Sequence, residues 1–404
     1  MKYIRALVFL TAVALLAWLL PWGYGFIFSR PGSHPFTLYS CVTHSFAYTD
    51  RSSGKTIYKD YDGHIYTDKQ FDSILPTFFY RQLVADGRLP EQIEGIPVDA
   101  RRIQQGNFMF RHSPVHVNVR GVTLYPLLES MPDRVDLEMP GDVFRMDGRM
   151  EFVDMETNRV NEDLSQRFTK VLLDKGFVFP VRYIAGNPTV RKEYDEGYLI
   201  IDRNYQVFHV KRIKGRPFVR NTGISPDLKM KYAFVTEFRN RRFYGILTDA
   251  DNRTYVLDAK TYNLKELPLG SFNPEKESMT IFGDDFYWTV SIGGEQGMRL
   301  YAVKSGDYSL ADTAFLASGE DQSDVIARYL FPFKLSFTSY ADKFVYPRLS
   351  DWSVWALILN VLMVAGYVVV RRREPGVMAC GVVLLFLGLY ALIPFLLKIP
   401  FVKR

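Results

Sequence analysis

The sequence predicts a mainly β domain, a propeller-like meander with helical inserts, attached to three transmembrane helices. Three observations carry this reading. The chain has 404 residues of which 48% are apolar, an ordinary soluble average, yet its longest apolar runs lie at the two ends. Between them, apolar residues come in short alternating runs broken by Asp, Asn and Gly, which is the strand-and-turn pattern. Only Cys41 and Cys380 occur, so no disulfide framework is available and a packed core must stabilise the large central part. A two-layer β-sandwich is the alternative for the same strand pattern.

Ala6–Phe28, Trp352–Val370 and Gly376–Leu397 carry no Asp, Glu, Lys, Arg or His. A hydrocarbon core of about 30 Å needs about 20 helical residues, so each run is long enough to span. The expected divisions are therefore an anchor over 1–29, an extracytoplasmic β domain over 30–350 and a helical hairpin over 351–404. Lys2 and Arg5 before the first run also suit a signal peptide. Against that, the run exceeds the usual h-region of about 7 to 15 residues, and "WGYGFIFSRPG" offers no small-residue cleavage site.

In the central part, "SILPTFFYRQLVADG" (73–87) predicts a helix ended by Gly87. "FRHSPVHVN" places His112 and His116 at i and i+4. On a continuous strand they stand about 13 Å apart, too far to share one metal ion. "NEDLSQRFTKVLLDKG" (161–176) predicts a helix with Asn161 as N-cap and Leu164, Phe168, Val171 and Leu172 on one face. "VDMETNRVNE" (153–162) echoes "LDAKTYNLKE" (257–266), and in both the Asp and Thr are expected to bond turn amides. "RKEYDEGY" (191–198) concentrates charges that a solvated, self-compensating turn accounts for, with acid–base or calcium chemistry as the sharper reading. From about 197 to 316 an antiparallel meander follows, with turns at 202–204, 249–252, 258–262, 283–285, 293–294 and 304–307.

The hairpin at the other end holds the orientation signal. Arg371, Arg372 and Arg373 lie in a loop between two apolar runs, and basic residues beside spans stay cytoplasmic. Lys2 and Arg5 agree, which places residues 30–350 outside the cytoplasm, in a periplasm if the membrane is a bacterial inner one. Lys398, Lys403 and Arg404 then lie on the outer side, against the same rule. Asn360 is the one strongly polar residue near the centre of a span. With Gly366, which permits close backbone approach, it is the expected contact to a partner helix, the competing role being a bond within the chain's own helices. The three runs hold no Asp, Glu, Lys, Arg or His and are expected to be uninterrupted, with a kink at Pro394 in the third, unlike a solute pathway.

Charge and motifs narrow the function. Of the formal +6, the membrane flanks carry +7, leaving −1 for the rest, so no basic surface for nucleic acid is expected. No phosphate-binding, dinucleotide, nucleophile-elbow, zincin or C-x-x-C motif occurs. The chain thus reads as non-enzymatic, without catalytic, cofactor or metal residues, an extracytoplasmic hydrolase being the remaining enzymatic alternative.

At "SILPTFFYRQLVADGRLP" (73–90), "PLLESMPDRVDLEMPGDVFRMDGRMEFVDMETNRVNEDLSQRFTKVL" (126–172) and "FPVRYIAGNPTVRKEYDEGYLIID" (179–202), the chain resembles an uncharacterised family of membrane proteins from the Bacteroides group. Members look like neighbours of genes for ATP-binding cassette permeases and ATPases. The resemblance implies an accessory component of an envelope export or efflux system, with a free-standing sensor or scaffold as the alternative.

The topology is open to test by reporter fusion: one after Val370 is expected to read cytoplasmic and one near Gly270 extracytoplasmic. The same side for both contradicts the three-span arrangement.

Overall fold

A computed structural model describes residues 2–28, 35–51, 55–118, 121–294, 296–317, 322–337, 345–373 and 376–397. The chain divides into two compact units, Pro35–Ala317 and a second formed by Met1–His34 with Ser318–Arg404. The β unit therefore stops at Ala317, short of the expected 350. The following helix, Gln322–Leu330, belongs with the apolar helices because Ala327, and Phe331 just after it, are buried among them.

In the β unit, strands pair with their chain neighbours into five antiparallel sheets of three to five strands. Sheet I comprises Thr37–Tyr39, Phe46–Asp50, Ile57–Asp60 and Ile65–Tyr66, and sheet II comprises Asp142–Met146, Met150–Asp154 and Arg159–Asn161. Sheet III holds Tyr183–Gly186, Tyr198–Ile201, Val207–Ile213 and Arg216–Asn221, and sheet IV holds Tyr232–Val235, Phe243–Thr248, Thr254–Asp258 and Leu264–Glu266. Sheet V runs over Ser278–Gly283, Tyr287–Gly294, Gly297–Lys304 and Leu310–Ala317 and gains a fifth strand, Phe108–His112, from much earlier in the chain.

Packing follows the two-residue period of a strand. Tyr198 and Ile200 point toward sheet II and the helix Glu162–Asp174, while Leu199 and Ile201 point toward sheet IV. Ile246 and Val256 of sheet IV meet Trp288 and Val290 of sheet V. Phe46 of sheet I packs on Leu300 and Ala302 from the other face of sheet V. The stack is thus II–III–IV–V–I, a propeller-like succession in which the first sheet in the chain packs on the last. This is not two layers of a sandwich. Among the described residues no apolar cluster joins sheet I to sheet II.

Aspartates organise the hairpin tips. The Thr157 amide and hydroxyl donate to Asp154 Oδ1 at 2.8 and 2.7 Å, and those of Thr261 donate to Asp258 Oδ1 at 2.7 Å each, so the two echoed segments form the same turn. Asp202 and Asp249 are fully buried, and each takes two amides on Oδ1. Their cost of desolvation is offset because every oxygen has a donor, Val178 N and the Tyr255 hydroxyl supplying the others. The helix Glu162–Asp174 starts where expected, with Asn161 Oδ1 accepting from Leu164 N at 3.1 Å.

Among the described residues the second unit has one helix long and apolar enough to cross a membrane, Tyr3–Phe28, a property that a signal sequence shares. The two later apolar runs form shorter helices, Ala356–Arg371 and then Val377–Leu387 with Leu389–Leu396. The third run was expected to be continuous. It breaks at Gly388, whose φ of +53° and ψ of −130° suit only a residue without a Cβ. Asn360 is the other half of this break. It is fully buried, its Nδ2 donates to Leu385 O at 2.8 Å, and its Oδ1 lies 2.3 Å from where a Gly388 Cβ would stand. Asn360 thus makes a bond within its own hairpin. Gly366 lies on the exposed face of Ala356–Arg371, with nothing within 4 Å of an added Cβ.

Arg5 lies in the first helix, and Arg371 ends Ala356–Arg371 with Arg372 and Arg373 in the turn beyond. Lys2 begins the first helix. Glu374, Lys398, Lys403 and Arg404 lie outside the described residues.

Gly388→Ala is expected to cost about 2 to 3 kcal/mol in the stability of the full chain in micelles, from backbone strain plus displacement of Asn360. Gly366→Ala serves as the neutral comparison. Detergent-titration unfolding measures both, and equal midpoints remove the role given to the break.

Candidate binding groove

The region expected as one helix over 73–87 forms two, Asp68–Ile74 and Tyr80–Ala85. A capping box starts the first: Thr67 Oγ1 accepts from Gln70 N while Gln70 Oε1 accepts from Thr67 N. Pro76 ends it, since proline lacks the amide and disfavours helical geometry at Leu75. The break turns Thr77 and Phe78 toward a chamber of about 520 Å³ bounded by sheet I, strand Phe108–His112 and the sheet V hairpin tip around Asp284.

The chamber has an aromatic interior and a polar mouth. Tyr39, Phe78, Phe108, Phe282 and Tyr287 line it, with Arg81, Gln104 and Arg239 among the polar residues. Asp284 anchors the tip, its Oδ1 accepting from Phe286 N at 2.7 Å and Tyr287 N at 2.8 Å. Burial raises this carboxyl above its usual value, with the Thr77 hydroxyl and the two amides acting in the other direction. Glu94 is held by the Tyr287 hydroxyl at 2.7 Å, and burial pushes the neighbouring Cys41 thiol up to about 12, so it remains a thiol at neutral pH. Asn107 donates to Thr77 O at 2.7 Å, and its enclosed Oδ1 has no donor.

A second cavity of about 690 Å³ adjoins the first, sharing Gln104 and Arg239 with it. Arg101, Arg102, Gln105, Asn240 and Arg242 line it, with Glu193 and Asp285. Helix Ala100–Gly106 is capped by Asp99, and it reaches the hairpin tip only because residue 106 is glycine: a Cβ there would stand 2.6 Å from Asp285 Oδ1. Opposite, the loop 238–242 is fixed by Arg241 N on Phe238 O and by Arg242 N on Asn240 Oδ1. Arg102 pairs with Asp285 at 3.2 Å and Arg239 with Glu193 at 2.6 Å, whereas Arg242 bonds the hydroxyl and carbonyl of Ser305. The two cavities share wall residues Gln104 and Arg239 and form a candidate groove, aromatic in one part and rich in arginine and carboxamide in the other.

Sequence reasoning found part of this groove, naming 283–285 only as a turn and 73–87 only as a helix. It missed Arg101, Arg102, Arg239 and Arg242, which come from two segments that only the fold brings together.

The segment 191–198 is not a solvated turn. Lys192 is buried and donates to Asn187 O at 2.7 Å, Asp195 Oδ1 at 2.7 Å and Glu237 Oε1 at 2.6 Å. Glu237, also buried, belongs to the next sheet's hairpin, so the partner that permits burial was invisible locally. Ser130, Gly197 N, Glu196 N and Asn187 fill the remaining oxygens, which makes this a tie between segments.

His112 and His116 do not lie along one strand. The strand ends at His112, and the turn at Ser113-Pro114 brings the ring centroids within 5.5 Å. His112 Nε2 bonds Pro274 O and His116 Nδ1 accepts from Ser113 N. Asp60, Asp62 and His64 bring ligand atoms within 4.8 Å of one another at a sheet I turn. Both Asp60 oxygens already serve that turn, through His64 N and the Tyr66 hydroxyl.

Residues 36–303 match the family described as a domain of unknown function, DUF4857, and the chain belongs to that family. No curated protein matches it. Among solved structures it is similar to PorZ, a bacterial surface component of the type-IX secretion system of Porphyromonas gingivalis, at 12% identity and a TM-score of 0.23, over 70% of this chain and 27% of that one. It is similar to the Dos1 propeller at 12% identity and a TM-score of 0.27, over 45% of each chain. The Myceliophteria thermophila Cps50 (Swd1) β-propeller gives 12% and 0.26, over 55% of this chain and 62% of that one. The chain spans less than two thirds of each, and sheet order, not these similarities, defines the fold described above.

His209 supplies a pH signature. Burial holds its imidazole down to about 4, the Glu196 carbonyl opposing, and burial does the same to His112. Depressed histidines stay neutral in the folded state, so their contribution is complete above about 6.5 and is lost as pH falls from there toward 4. In that window unfolding free energy should drop by about 1.4 kcal/mol per pH unit per histidine. His209→Gln is expected to halve the slope in denaturant titrations, and an unchanged slope contradicts the assignment.

Proposed function

Taking family membership and the groove together, we propose that the protein is a non-enzymatic binding component of the bacterial envelope, tethered by its apolar helices and holding a partner in the groove. The partner we propose is a subunit of an ATP-binding cassette export system, with the β unit on the periplasmic side and the chain crossing the inner membrane three times. The observation that carries the binding role is the adjacency of the aromatic chamber and the arginine-rich cavity, which share Gln104 and Arg239 in their walls. Pockets that hold ligands combine an apolar lining with a few placed polar groups, and this groove has both. The chemistry favours holding over transforming: histidine does not line either cavity, Asp284 already takes amide donors, and Cys41 stays protonated.

The test is purification of the full chain from its native membranes in mild detergent, with identification of the subunits that accompany it. Met109→Trp, at a half-exposed chamber position, fills the groove without entering the core. It is expected to reduce recovery of the partner by about 10-fold at unchanged thermal stability. Equal recovery from both forms overturns binding through the groove. A partner that is neither permease nor ATPase overturns the export assignment.

A further inference from the structure

Resting on that reading, we infer that the groove takes an extended peptide segment of the partner carrying an acidic side chain close to an aromatic one. The charge balance of the lining points to the acid. Arg81, Arg101, Arg102, Arg239 and Arg242 face Glu193, Asp284 and Asp285. Arg102 and Arg239 are taken by Asp285 and Glu193. Arg81, Arg101 and Arg242 have no carboxylate partner among the described residues; Arg81 contacts the Tyr80 hydroxyl and Arg242 contacts Ser305. A guanidinium donates to a carboxylate through a two-bond fork; Arg242 already spends both terminal nitrogens on Ser305, so Arg81 and Arg101 define the sites for acidic side chains.

Carboxamides point to a backbone. Gln104 and Gln105 stand along the arginine end, each offering a donor and an acceptor, while Asn240 is engaged with Arg242 N and Gly106 O. Gln104 lines both cavities, where a ligand must pass from one to the other. An extended peptide presents N–H and C=O groups along its length and meets such side chains with paired bonds. The aromatic chamber then takes one side chain of that peptide.

The same chemistry could serve an acidic saccharide, but the rings argue for a peptide. A sugar stacks on a free aromatic face. Here the lining rings engage one another, Phe78 with Phe282 edge to face at 82° and Tyr39 with Tyr287 tilted at 56°, and Phe282 also meets Phe36 behind the lining at 88°. They enclose a space suited to the edge-to-face packing of an incoming aromatic side chain.

The experiment pans a random library of blocked hexapeptides on the full chain in detergent micelles, beside an Arg81→Glu, Arg101→Glu double variant. Both arginines are exposed, so the variant is expected to melt with the wild type. Wild-type protein should enrich sequences with Asp or Glu within two positions of Phe, Tyr or Trp. Their dissociation constants should rise by about 10-fold or more on the double variant, and also in about 0.5 M salt. Enrichment of neutral or basic peptides, absence of enrichment, or equal affinity for both forms overturns the assignment. So does capture of a galacturonic acid trisaccharide in preference to any peptide. If Met109→Trp still releases the native partner while the library yields no acidic aromatic sequences, binding through the groove stands and only the peptide class falls.

Discussion

The pairing of Phe108–His112 with Ser278–Gly283 is the interaction on which the groove depends. Five register pairs, from Phe108 opposite Gly283 to His112 opposite Met279, tie an early segment to the last sheet of the β unit. Phe108 and Phe110 thereby enter the core with Trp288 and Phe243, and the helix just before them is carried to the hairpin tip. Without that pairing, Gly106 would not reach Asp285, nor Asn107 the chamber wall. Stability and site geometry are fixed by the same ladder.

What could be read locally was read well. Hairpin tips depend on an aspartate and its next few amides, and those signals lie within a handful of residues. The turns at 202, 249, 258 and 284 accordingly form as expected, as does the N-cap at Asn161. Non-local features were out of reach. Nothing near Lys192 announces Glu237, and nothing near His112 announces a strand partner far along the chain. Pro76 was the one local signal given too little weight, and it decides whether Thr77 and Phe78 face the chamber. The apolar-domain boundary shows the same limit, since helix Gln322–Leu330 is amphipathic and its side of allegiance depends on tertiary packing.

Buried polar groups serve two purposes here. Asp202, Asp249 and the Lys192–Asp195–Glu237 cluster are saturated with donors or counter-charges, and they fix turns and segment positions. In the groove the pattern changes: among the described residues Arg81, Arg101 and Arg242 have no carboxylate, and Asn107 Oδ1 has no donor. Where the protein has satisfied its own chemistry, the groups are structural; where it has left cations and acceptors open, a second molecule has something to complete.

The broken helix at Gly388 bears on how the chain is assembled. A helix interruption releases carbonyls from their usual partners, and in hydrocarbon no water replaces them. Asn360, from the preceding helix, supplies a donor to the Leu385 carbonyl. Neither helix of the hairpin is therefore self-sufficient outside water. Ala356–Arg371 would carry a bare carboxamide, and Val377–Leu396 an unsatisfied kink. The two helices of the hairpin therefore complete each other and are stable as a pair rather than singly.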